Sequence, residues 1–440
     1  MHWKDYFKGK KITLMGLGLL GRGIGDARFL AECGAELIVT DLKGESELEV
    51  SLSLLRQFTN ITFHLESHSL GDFENRDLII KAAGVPLNSL YIAHAKKNNI
   101  PVRMSTDLFA ELAGIPVVGI TGTRGKSTVT HMIAHILRSA GYAVLLGGNV
   151  RGVSTLALLS DVTRDSIAVL ELDSWQLQGF GEAKISPHIS VFTTFLPDHM
   201  NYYKNSMQAY FADKAAIFRN QQESDTFILG EQAAPFIKEF GYQTHIRAHT
   251  EVSGTRNLPK GVRLKLPGEH NRYNAGLASA AARALDVDEE CIKDSLESFE
   301  SIPGRLQFLR EVKGVKIYND NNATTPDATV AALRSFGEKK NVVLIMGGSD
   351  KGLDMGALLG EISTHCKTVL LLKGSGTVRV RPHVPGAIEY ESIGAATEAA
   401  FKAAKPGDVL LLSPAFASFG MFTNEYDRND QFIEAVQGLQ

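Results

Sequence analysis

The sequence has few cysteines, little net charge and no long apolar run, and each of these absences excludes a class of protein. Cys33, Cys291 and Cys366 are widely spaced and form no CxxC pair, so we expect neither a disulfide framework nor a zinc site. A formal net charge of -3 over 440 residues argues against a general nucleic-acid binder. Apolar runs stay short of the roughly 18 residues of a membrane span. The first residues lack the apolar segment of a signal peptide, so we expect a protein of the reducing cytoplasm.

Short apolar runs alternate with helical patterns along the chain, which predicts an α/β fold with parallel strands. The predicted strands are Lys11–Met15, Leu37–Asp41, Leu78–Lys81, Pro116–Thr121, Ala143–Leu146, Ile167–Leu172, Ile189–Thr194, Val315–Asn319, Asn341–Met346, Thr368–Leu372 and Asp408–Leu412. The predicted helices are Gly21–Cys33, Val129–Ser139, Gly268–Ala284, Pro326–Phe336 and Ala395–Ala404. Breaks near Pro101, Pro116 and Ile302-Pro303-Gly304 suggest three α/β domains in series, over residues 1–103, 104–302 and 303–440.

The strongest local motif is the glycine-rich turn Gly122-Thr-Arg-Gly-Lys-Ser-Thr128, which follows an apolar strand and opens a helix. Backbone N–H groups of such a turn can hold phosphates. Lys126 would reach the terminal phosphates of a nucleotide, and Ser127 its magnesium ion. The strict P-loop pattern has glycine where Ile120 stands, so this motif is a shorter variant. The alternative is a glycine turn with a surface lysine.

A second glycine-rich turn, Gly16-Leu-Gly-Leu-Leu-Gly21, follows the first predicted strand, and Asp41 lies twenty residues beyond Gly21. This is the pattern of a dinucleotide-binding loop, and taken alone it predicts NAD binding. The same loop could instead hold the pyrophosphate of a UDP-sugar, or be a tight turn without a ligand. Two phosphate-binding loops in separate domains favour a two-substrate transferase or ligase over a dehydrogenase.

Polar residues in the middle segment occur where α/β sheets place their ligands. Glu171 ends an apolar strand, Asp198-His199 follows another, and Lys214 lies in a helical stretch fifteen residues after His199. Glu171 and His199 could hold magnesium ions beside ATP phosphates. For each residue alone, a solvated loop or a satisfied core contact is an alternative. Their occurrence together, downstream of a P-loop, favours a site.

Motifs along nearly the whole chain resemble the Mur ligase family in order and spacing. They are Gly122-Thr-Arg-Gly-Lys-Ser-Thr128, Leu170-Glu-Leu-Asp-Ser-Trp-Gln-Leu177, Asp198-His-Met-Asn-Tyr-Tyr203, Leu266-Pro-Gly-Glu-His-Asn-Arg-Tyr-Asn274, Ile302-Pro-Gly-Arg305 and Leu412-Ser-Pro-Ala-Phe-Ala-Ser418. The Gly16–Gly21 loop and the ending Ser413–Phe422 are similar to the branch of the family that adds glutamate. The resemblance implies a Rossmann-like N-terminal domain, a central P-loop ATPase domain and a Rossmann-like C-terminal domain.

The resemblance also implies a role at each matching position. The ATP-binding set is Gly122, Thr123, Arg124, Gly125, Lys126, Ser127, Thr128, Asn271, Asn274, Arg305 and Asp320. The UDP-substrate set is Gly18, Leu19, Leu20, Asp41, Lys43 and Asn149. The amino-acid pocket is Lys351, Ser418 and Phe422. The magnesium ligands are Ser127, Glu171, His199 and Lys214, the last as a carbamate, and Lys126, His199 and Lys214 are the catalytic residues.

The implied activity is ATP-dependent addition of glutamate to UDP-N-acetylmuramoyl-L-alanine through an acyl phosphate, in peptidoglycan precursor synthesis. The implied cofactors are ATP and Mg2+, and we expect a monomer. Arg124 stands where the family usually has asparagine, Gly304 where histidine is frequent, and Asn322 where many glutamate-adding members have lysine. These departures leave open whether the incoming glutamate is the D- or the L-isomer. Another Mur-type ligase, a folylpolyglutamate-type ligase and an NAD-dependent dehydrogenase with a P-loop domain are the alternatives.

Overall fold

The computed structural model describes residues 3–18, 21–337 and 339–440, and its strands form three sheets with helices between them. The predicted α/β class with parallel sheets is confirmed. The chain divides into two compact units, one of Met1–Pro259 with Gly276–Ile292 and the other of Lys260–Ala275 with Lys293–Gln440. Domain boundaries after residues 103 and 302 stay a prediction. No helix in the described ranges is long and apolar enough to cross a membrane.

The first sheet, in the first unit, is parallel and has the order β3-β2-β1-β4-β5. Its strands are β1 (Lys11–Met15), β2 (Glu36–Thr40), β3 (Ile61–His64), β4 (Leu78–Lys81) and β5 (Val102–Arg103). The helices of this part are α1 (Trp3–Phe7), α2 (Arg22–Glu32), α3 (Glu45–Ser53), α4 (Leu90–Lys97) and α5 (Ser105–Leu112). The strand order reverses at β1, so a crevice opens at its carboxyl end, where such sheets bind ligands.

The second sheet, also in the first unit, is parallel with the order β11-β10-β9-β6-β8-β7. Its strands are β6 (Val117–Thr121), β7 (Ala143–Gly148), β8 (Ser166–Glu171), β9 (Ile189–Phe192), β10 (Thr226–Gly230) and β11 (His249–Ser253). The helices between them are α6 (Lys126–Ser139), α7 (Ser174–Ala183), α8 (Met207–Arg219) and α9 (Ala234–Glu239). Because β6 lies between β8 and β9 and all its residues are buried, the P-loop motif leaves the sheet at its centre.

The third sheet, in the second unit, has the order β12-β13-β17-β14-β15-β16, with β12 antiparallel to β13 and the other pairs parallel. Its strands are β12 (Gln307–Val312), β13 (Val315–Asn319), β14 (Val342–Gly347), β15 (Cys366–Leu372), β16 (Ile388–Tyr390) and β17 (Val409–Leu412). The remaining helices are α10 (Glu269–Arg283), α11 (Glu289–Ser298), α12 (Pro326–Arg334), α13 (Gly356–His365), α14 (Ser375–Val380), α15 (Ile393–Ala403) and α16 (Glu425–Gln437). The division between the units falls within α10 and α11.

Candidate functional site

The glycine-rich turn after β1 needs its glycines for both conformation and space. Gly16, Gly18 and Gly21 have positive φ angles of 95°, 66° and 84°. A Cβ atom on Gly23 would lie 2.2 Å from the carbonyl oxygen of Leu17, so α2 packs directly against the turn. Among the described residues, no side chain caps the N-terminus of α2 at Gly21. Backbone N–H groups at such an end can bind an anion.

Asp41, which directly follows β2, holds this turn in place through hydrogen bonds. Its carboxylate accepts hydrogen bonds from the backbone N–H of Gly18 and the backbone N–H of Lys43, both at 3.0 Å. The predicted UDP-binding residues Gly18, Asp41 and Lys43 are therefore brought together. Leu19 and Leu20, predicted for the same site, lie outside the described residues.

The P-loop motif after β6 is fastened to the segment that follows β9. Gly122 has a φ angle of 141°, and a Cβ atom there would lie 2.0 Å from the hydroxyl oxygen of Thr193. The backbone N–H of Thr123 donates to the Thr194 carbonyl at 2.7 Å, and that of Arg124 to the Thr194 hydroxyl at 2.9 Å. Two hydrogen bonds to Thr194 and the close approach of Thr193 thus hold the loop in its conformation.

The Arg124 side chain contacts a residue outside the P-loop. Its guanidinium forms an ion pair with the carboxylate of Asp198 at 2.9 Å. The residue that departs from the family pattern therefore connects the P-loop to the Asp198-His199 segment, which also lies at the carboxyl edge of this sheet. An asparagine side chain at position 124 would be too short to connect these two segments through such a contact.

Gly125 ends the turn with a φ angle of 86° and is the N-cap of α6. Lys126, Ser127 and Thr128 then form the first turn of that helix. The Lys126 ammonium folds back over the loop and donates to the carbonyl oxygens of Gly122 at 3.1 Å and Thr123 at 3.2 Å. The side chain is half-buried, and its charge lies where the loop would bind phosphates.

Glu171 lies beside the P-loop because β8 pairs with β6, with Ile120 opposite Glu171. Its side chain is buried and accepts a hydrogen bond from the Asn149 side chain at 3.4 Å, and its backbone carbonyl accepts the Asn149 backbone N–H at 2.7 Å. Asn149, predicted to contact the UDP-linked substrate, is therefore in direct contact with a predicted magnesium ligand.

His199 has a φ angle of 54°, which is uncommon for a residue with a side chain. Its ring centroid lies 4.6 Å from that of Trp175, and one ring nitrogen lies 3.9 Å from an oxygen of Asp198. The side chain of His199 is 38% exposed, so a ligand could reach it. Residues in sparsely populated backbone conformations are often found at functional sites.

Lys214 extends from α8 to the P-loop. Its side-chain nitrogen donates to the Gly122 carbonyl at 2.9 Å and lies 3.4 Å from the Thr121 hydroxyl and 4.8 Å from the centre of the Tyr210 ring. Burial, and after it the nearby charge of Lys126, holds the pKa of this amine well below its ordinary value. Lys214 and Lys126 thus donate to the same carbonyl oxygen.

Among the described residues, Lys214 forms no salt bridge with Asp213 or Glu171, the carboxylates adjacent to it in sequence and in the predicted magnesium site. The Asp213 carboxylate instead accepts hydrogen bonds from Tyr203 at 2.9 Å and Gln178 at 2.8 Å. Lys214 is therefore a buried amine without a carboxylate partner among the described residues.

The donor atoms near the P-loop fit a magnesium ion that is bound together with a nucleotide. Ser127 provides a hydroxyl, Glu171 a carboxylate and His199 an imidazole. Among the described residues there is no group of at least three His, Cys, Asp or Glu side chains that could bind a metal by itself. Mg2+ commonly takes one or two protein oxygens and completes its shell with phosphates and water, so this sparse set is suitable.

The other predicted ATP-binding residues lie in the second unit. The Asn271 side chain donates to the Pro267 carbonyl at 2.8 Å, and Asn274 follows it on α10. The Asp320 carboxylate accepts from the backbone N–H of Leu306 at 3.0 Å and from the Ser413 hydroxyl at 2.9 Å. Burial raises the pKa of Asp320 to about 7, and the nearby charge of Arg305 partly opposes this shift.

The two other departures from the family pattern are neighbours. The backbone N–H of Asn322 donates to the Gly304 carbonyl at 2.9 Å. Gly304 has a φ angle of 72°, and a Cβ atom there would lie 3.3 Å from the Asn322 side chain. A small residue at 304 and a short one at 322 thus fit together.

The predicted amino-acid pocket is formed by two paired loops of the second unit. Ser349 and Ala417 form an antiparallel bridge, with hydrogen bonds of 2.8 and 3.1 Å. This pairing brings the loop of Lys351 beside Ser418, which is buried. The Lys351 ammonium donates to the Thr324 hydroxyl at 3.2 Å. Phe422 is buried in the core beneath the loops.

Sequence analysis missed Arg428, Lys81 and Asp26. Arg428 is fully buried and donates to the Asn321 side chain at 2.7 Å and to the Phe416 carbonyl at 3.3 Å. No local pattern reveals it, because a charged residue on an amphipathic helix is normally exposed. Lys81 ends a buried strand, which is the same signal that selected Glu171.

The chain is similar in sequence to known protein families. The family described as Mur ligase middle domain matches residues 120–282, and the one described as Mur ligase, glutamate ligase domain matches residues 304–416. A UDP-N-acetylmuramoylalanine--D-glutamate ligase of Roseiflexus sp. is 35% identical, over 98% of this chain and 99% of the relative. A ligase of the same name from Borreliella burgdorferi is 34% identical, over 99% of both chains.

The fold agrees with this similarity. The structure of MurC, a UDP-N-acetylmuramate-alanine ligase from Thermotoga maritima, superposes with a TM-score of 0.60 at 20% identity, covering 97% of this chain and 99% of that chain. The roles of individual residues stay predictions. By its sequence and its fold, the chain belongs to the Mur ligase family.

Proposed function

We propose that this chain is an ATP-dependent, ADP-forming ligase that adds D-glutamate to UDP-N-acetylmuramoyl-L-alanine during peptidoglycan precursor synthesis. The relatives that it matches over nearly their whole length are named for this reaction. Its need for ATP and a UDP-linked precursor supports a cytoplasmic location. We further propose that it acts as a monomer.

The observation that carries the proposal is the arrangement of Lys126, Lys214 and Glu171 around the P-loop. Lys126 supplies a charge to the loop, Glu171 a buried carboxylate beside it, and Lys214 a buried amine beneath it. A phosphate-binding loop surrounded in this way is suited to transfer of a phosphoryl group to an anionic acceptor, because that transfer needs positioning and electrostatic stabilisation.

The chemistry starts from a carboxylate, which does not acylate an amine in water. The alanyl carboxylate attacks the terminal phosphorus of ATP, a P–O bond breaks, and ADP leaves with an acyl phosphate formed. The amine of glutamate then attacks the carbonyl carbon, and phosphate leaves as the amide bond forms. Lys126 stabilises the charge of the phosphoryl group, while Ser127, Glu171 and His199 would hold magnesium. Bound magnesium supplies further positive charge there.

Lys214 serves this site best as a carbamate. A neutral amine attacks CO2, a C–N bond forms and one proton is released. The product carries a negative charge where an ammonium would repel a metal ion. Burial and the proximity of Lys126 both favour the neutral amine that this reaction needs.

The two other substrates are assigned to the remaining clusters. The Gly18–Asp41–Lys43 cluster binds the UDP end of the acceptor, and Asn149 contacts its muramoyl part. The Lys351–Ser418 loops bind glutamate, and the positive charge of Lys351 would attract a glutamate carboxylate. Asn271, Asn274, Arg305 and Asp320 contact ATP.

The deciding experiment measures phosphate released from ATP in the presence of UDP-N-acetylmuramoyl-L-alanine. D-glutamate, L-glutamate, lysine and diaminopimelate are supplied in separate reactions. We expect release with D-glutamate alone, together with a product heavier by one glutamyl residue. Release with lysine or diaminopimelate alone would assign a different step of the family. No release with any of them, together with tight NAD binding, would favour the dehydrogenase alternative.

A further inference from the structure

A cavity of about 240 Å3 lies at the carboxyl edge of the first sheet, within the first unit. Gly16, Gly18 and Arg22 line it from the glycine-rich turn and the start of α2, and Lys81 lines it from the end of β4. Lys81 is only 2% exposed to solvent, which is unusual for a lysine. None of the roles assigned so far uses this residue.

Its position follows from the sheet. β4 pairs with β1 so that Lys81 is opposite Met15, and the glycine-rich turn begins at the next residue, Gly16. Both strands end at the same edge. The Lys81 side-chain nitrogen donates to the Val85 carbonyl at 2.9 Å and so closes the short loop that follows β4.

The carboxylates of Asp173 and Asp107 act on the Lys81 charge only from beyond ion-pair distance. Within the described part of the chain, its hydrogen-bond partner is the Val85 carbonyl, and it forms no ion pair. An ammonium carries three donors, so two remain for a ligand. Burial lowers the pKa of Lys81 to about 8, which means that the fold tolerates this cation at a cost. An anion in the cavity would offset that cost.

The acidic residue of the cavity, Asp26, is already used by the protein. One of its oxygens accepts hydrogen bonds from Ser105 at 2.8 Å and Ser154 at 2.6 Å. Each hydroxyl also accepts a backbone N–H, so its hydrogen is directed to Asp26. Burial raises the pKa of Asp26 to about 6, and the two serine hydrogen bonds and then the charge of Arg22 partly oppose this shift. The carboxylate of Asp26 is thus held by the two serines, and among the described residues it forms no ion pair with Lys81.

We propose that Lys81 is a binding residue for the diphosphate of the UDP-linked substrate. The assignment of that substrate rests on the proposed function. The diphosphate is preferred over the alanyl carboxylate because Lys81 adjoins the glycine-rich turn. The uncapped N-terminus of α2 at Gly21 offers backbone donors in the same place. An ammonium and backbone N–H groups together match the two phosphates.

The test compares Lys81→Met with Lys97→Met in the full chain. Both variants lose one positive charge, but Lys97 is exposed on α4 and lies outside the cavity lining. Calorimetry gives the dissociation constants of UDP-N-acetylmuramoyl-L-alanine, UDP and UMP for each protein. We expect Lys81→Met to weaken the first two by at least about tenfold and UMP by less, and Lys97→Met to bind like wild type. The KM for ATP should not change.

The outcomes separate the two proposals. If wild type binds none of the uridine nucleotides, the proposed function is wrong. If wild type binds them and Lys81→Met binds equally well, the assignment of Lys81 alone is overturned. Weakening of the alanyl substrate without weakening of UDP would also overturn it, since the alanyl carboxylate would then be the partner. Lys81→Gln, which keeps a polar side chain, serves if Lys81→Met does not fold, and the same outcomes apply to it.

Discussion

The side-chain nitrogen of Lys214 lies 2.9 Å from the carbonyl oxygen of Gly122, the same oxygen that accepts a hydrogen bond from Lys126 at 3.1 Å. Two ammonium groups at one carbonyl repel each other, and the more buried one loses its proton first. Lys214 is 1% exposed, whereas Lys126 is half-buried. Lys214 is therefore the amine of the pair that loses its proton more readily, and its chemistry with CO2 can be tested directly.

We expect Lys214→Ala to be nearly inactive, with a loss of at least about 10^3-fold in kcat, because a charge at the phosphoryl-transfer site disappears. Added acetate should partly restore activity by replacing the carbamate. Wild type exchanged into 13C-labelled bicarbonate should give a carbamate signal in the carbon NMR spectrum, and Lys214→Ala should not.

Lys238→Ala is the matched control, since Lys238 is an exposed lysine on α9. It should retain wild-type activity and the labelled signal. Wild-type activity in Lys214→Ala, or the absence of a carbamate signal in active wild type, would rule out the carbamate.

For the P-loop lysine, we expect Lys126→Ala to lose about 10^2- to 10^3-fold or more in kcat while the protein stays folded. Its side chain is half-buried and donates to the carbonyl oxygens of Gly122 and Thr123, within the loop itself. Phosphate release measures activity, and circular dichroism measures folding. A folded variant with undiminished release would show that the loop does not act in catalysis.

Most interior strands were predicted, with β10 missed, and most edge strands were missed, with β7 predicted. The structure has the predicted bounds for Lys11–Met15, Leu78–Lys81 and Val315–Asn319, whose sequences are rich in apolar and β-branched residues. The edge strands β3 and β11 were missed. Their burial alternates or is low, and their sequences Ile-Thr-Phe-His and His-Thr-Glu-Val-Ser contain polar residues that a loop would also accept.

The candidate site was predictable where a motif and a strand end coincide. Lys126 and Glu171 were found in this way. The ion pair of Arg124 with Asp198 and the buried Arg428 depend on contacts between residues distant in sequence. No local pattern carries that information, since tertiary packing decides which charged side chains become buried.

Asp320 should make stability depend on pH. Its pKa is raised to about 7 by burial, so the folded state holds this proton more tightly than the unfolded state does. Its contribution is fully present below the unfolded pKa of about 4 and is lost as pH rises to about 7. The loss amounts to roughly 4 kcal/mol at most, since each unit of pKa corresponds to about 1.4 kcal/mol.

Asp320→Asn removes this titration and keeps a hydrogen-bond acceptor for the backbone N–H of Leu306. Denaturant unfolding of both proteins at several pH values measures the difference in free energy of unfolding. Wild type should lose stability relative to the variant between pH 4 and 7. A difference that stays constant over this range would contradict the burial of an ionisable Asp320.

Lys81→Met should stabilise the ligand-free protein at neutral pH. Because the pKa of Lys81 is lowered from 10.5 to about 8, its charged form destabilises the folded state below pH 8, and this cost disappears above the unfolded pKa. The cost is at most about 3 kcal/mol, and loss of the hydrogen bond to Val85 returns about 1 kcal/mol. Thermal unfolding should show a higher midpoint for the variant at pH 7 and a smaller advantage at pH 10. A lower midpoint at pH 7 would contradict this.

Gly304 and Asn322 should be energetically coupled, because the two positions that depart from the family pattern are in contact. Gly304→His alone should destabilise the protein by at least about 1 kcal/mol. A side chain at a φ angle of 72° is strained, and its Cβ would lie 3.3 Å from the Asn322 side chain. Asn322→Lys alone should have a small effect, since Asn322 is only partly buried and a lysine could extend into solvent.

The double variant should be less destabilised than the sum of the two single effects, by about 0.5 kcal/mol or more, since lysine at 322 vacates the space that histidine at 304 enters. Denaturant unfolding of the four proteins gives this coupling. Gly304→His combined with Lys402→Ala is the control, because Lys402 is exposed on α15 and has no contact in common with Gly304. That pair should be additive within about 0.5 kcal/mol. Additivity in the Gly304–Asn322 pair as well would mean that the two departures arose independently of their contact.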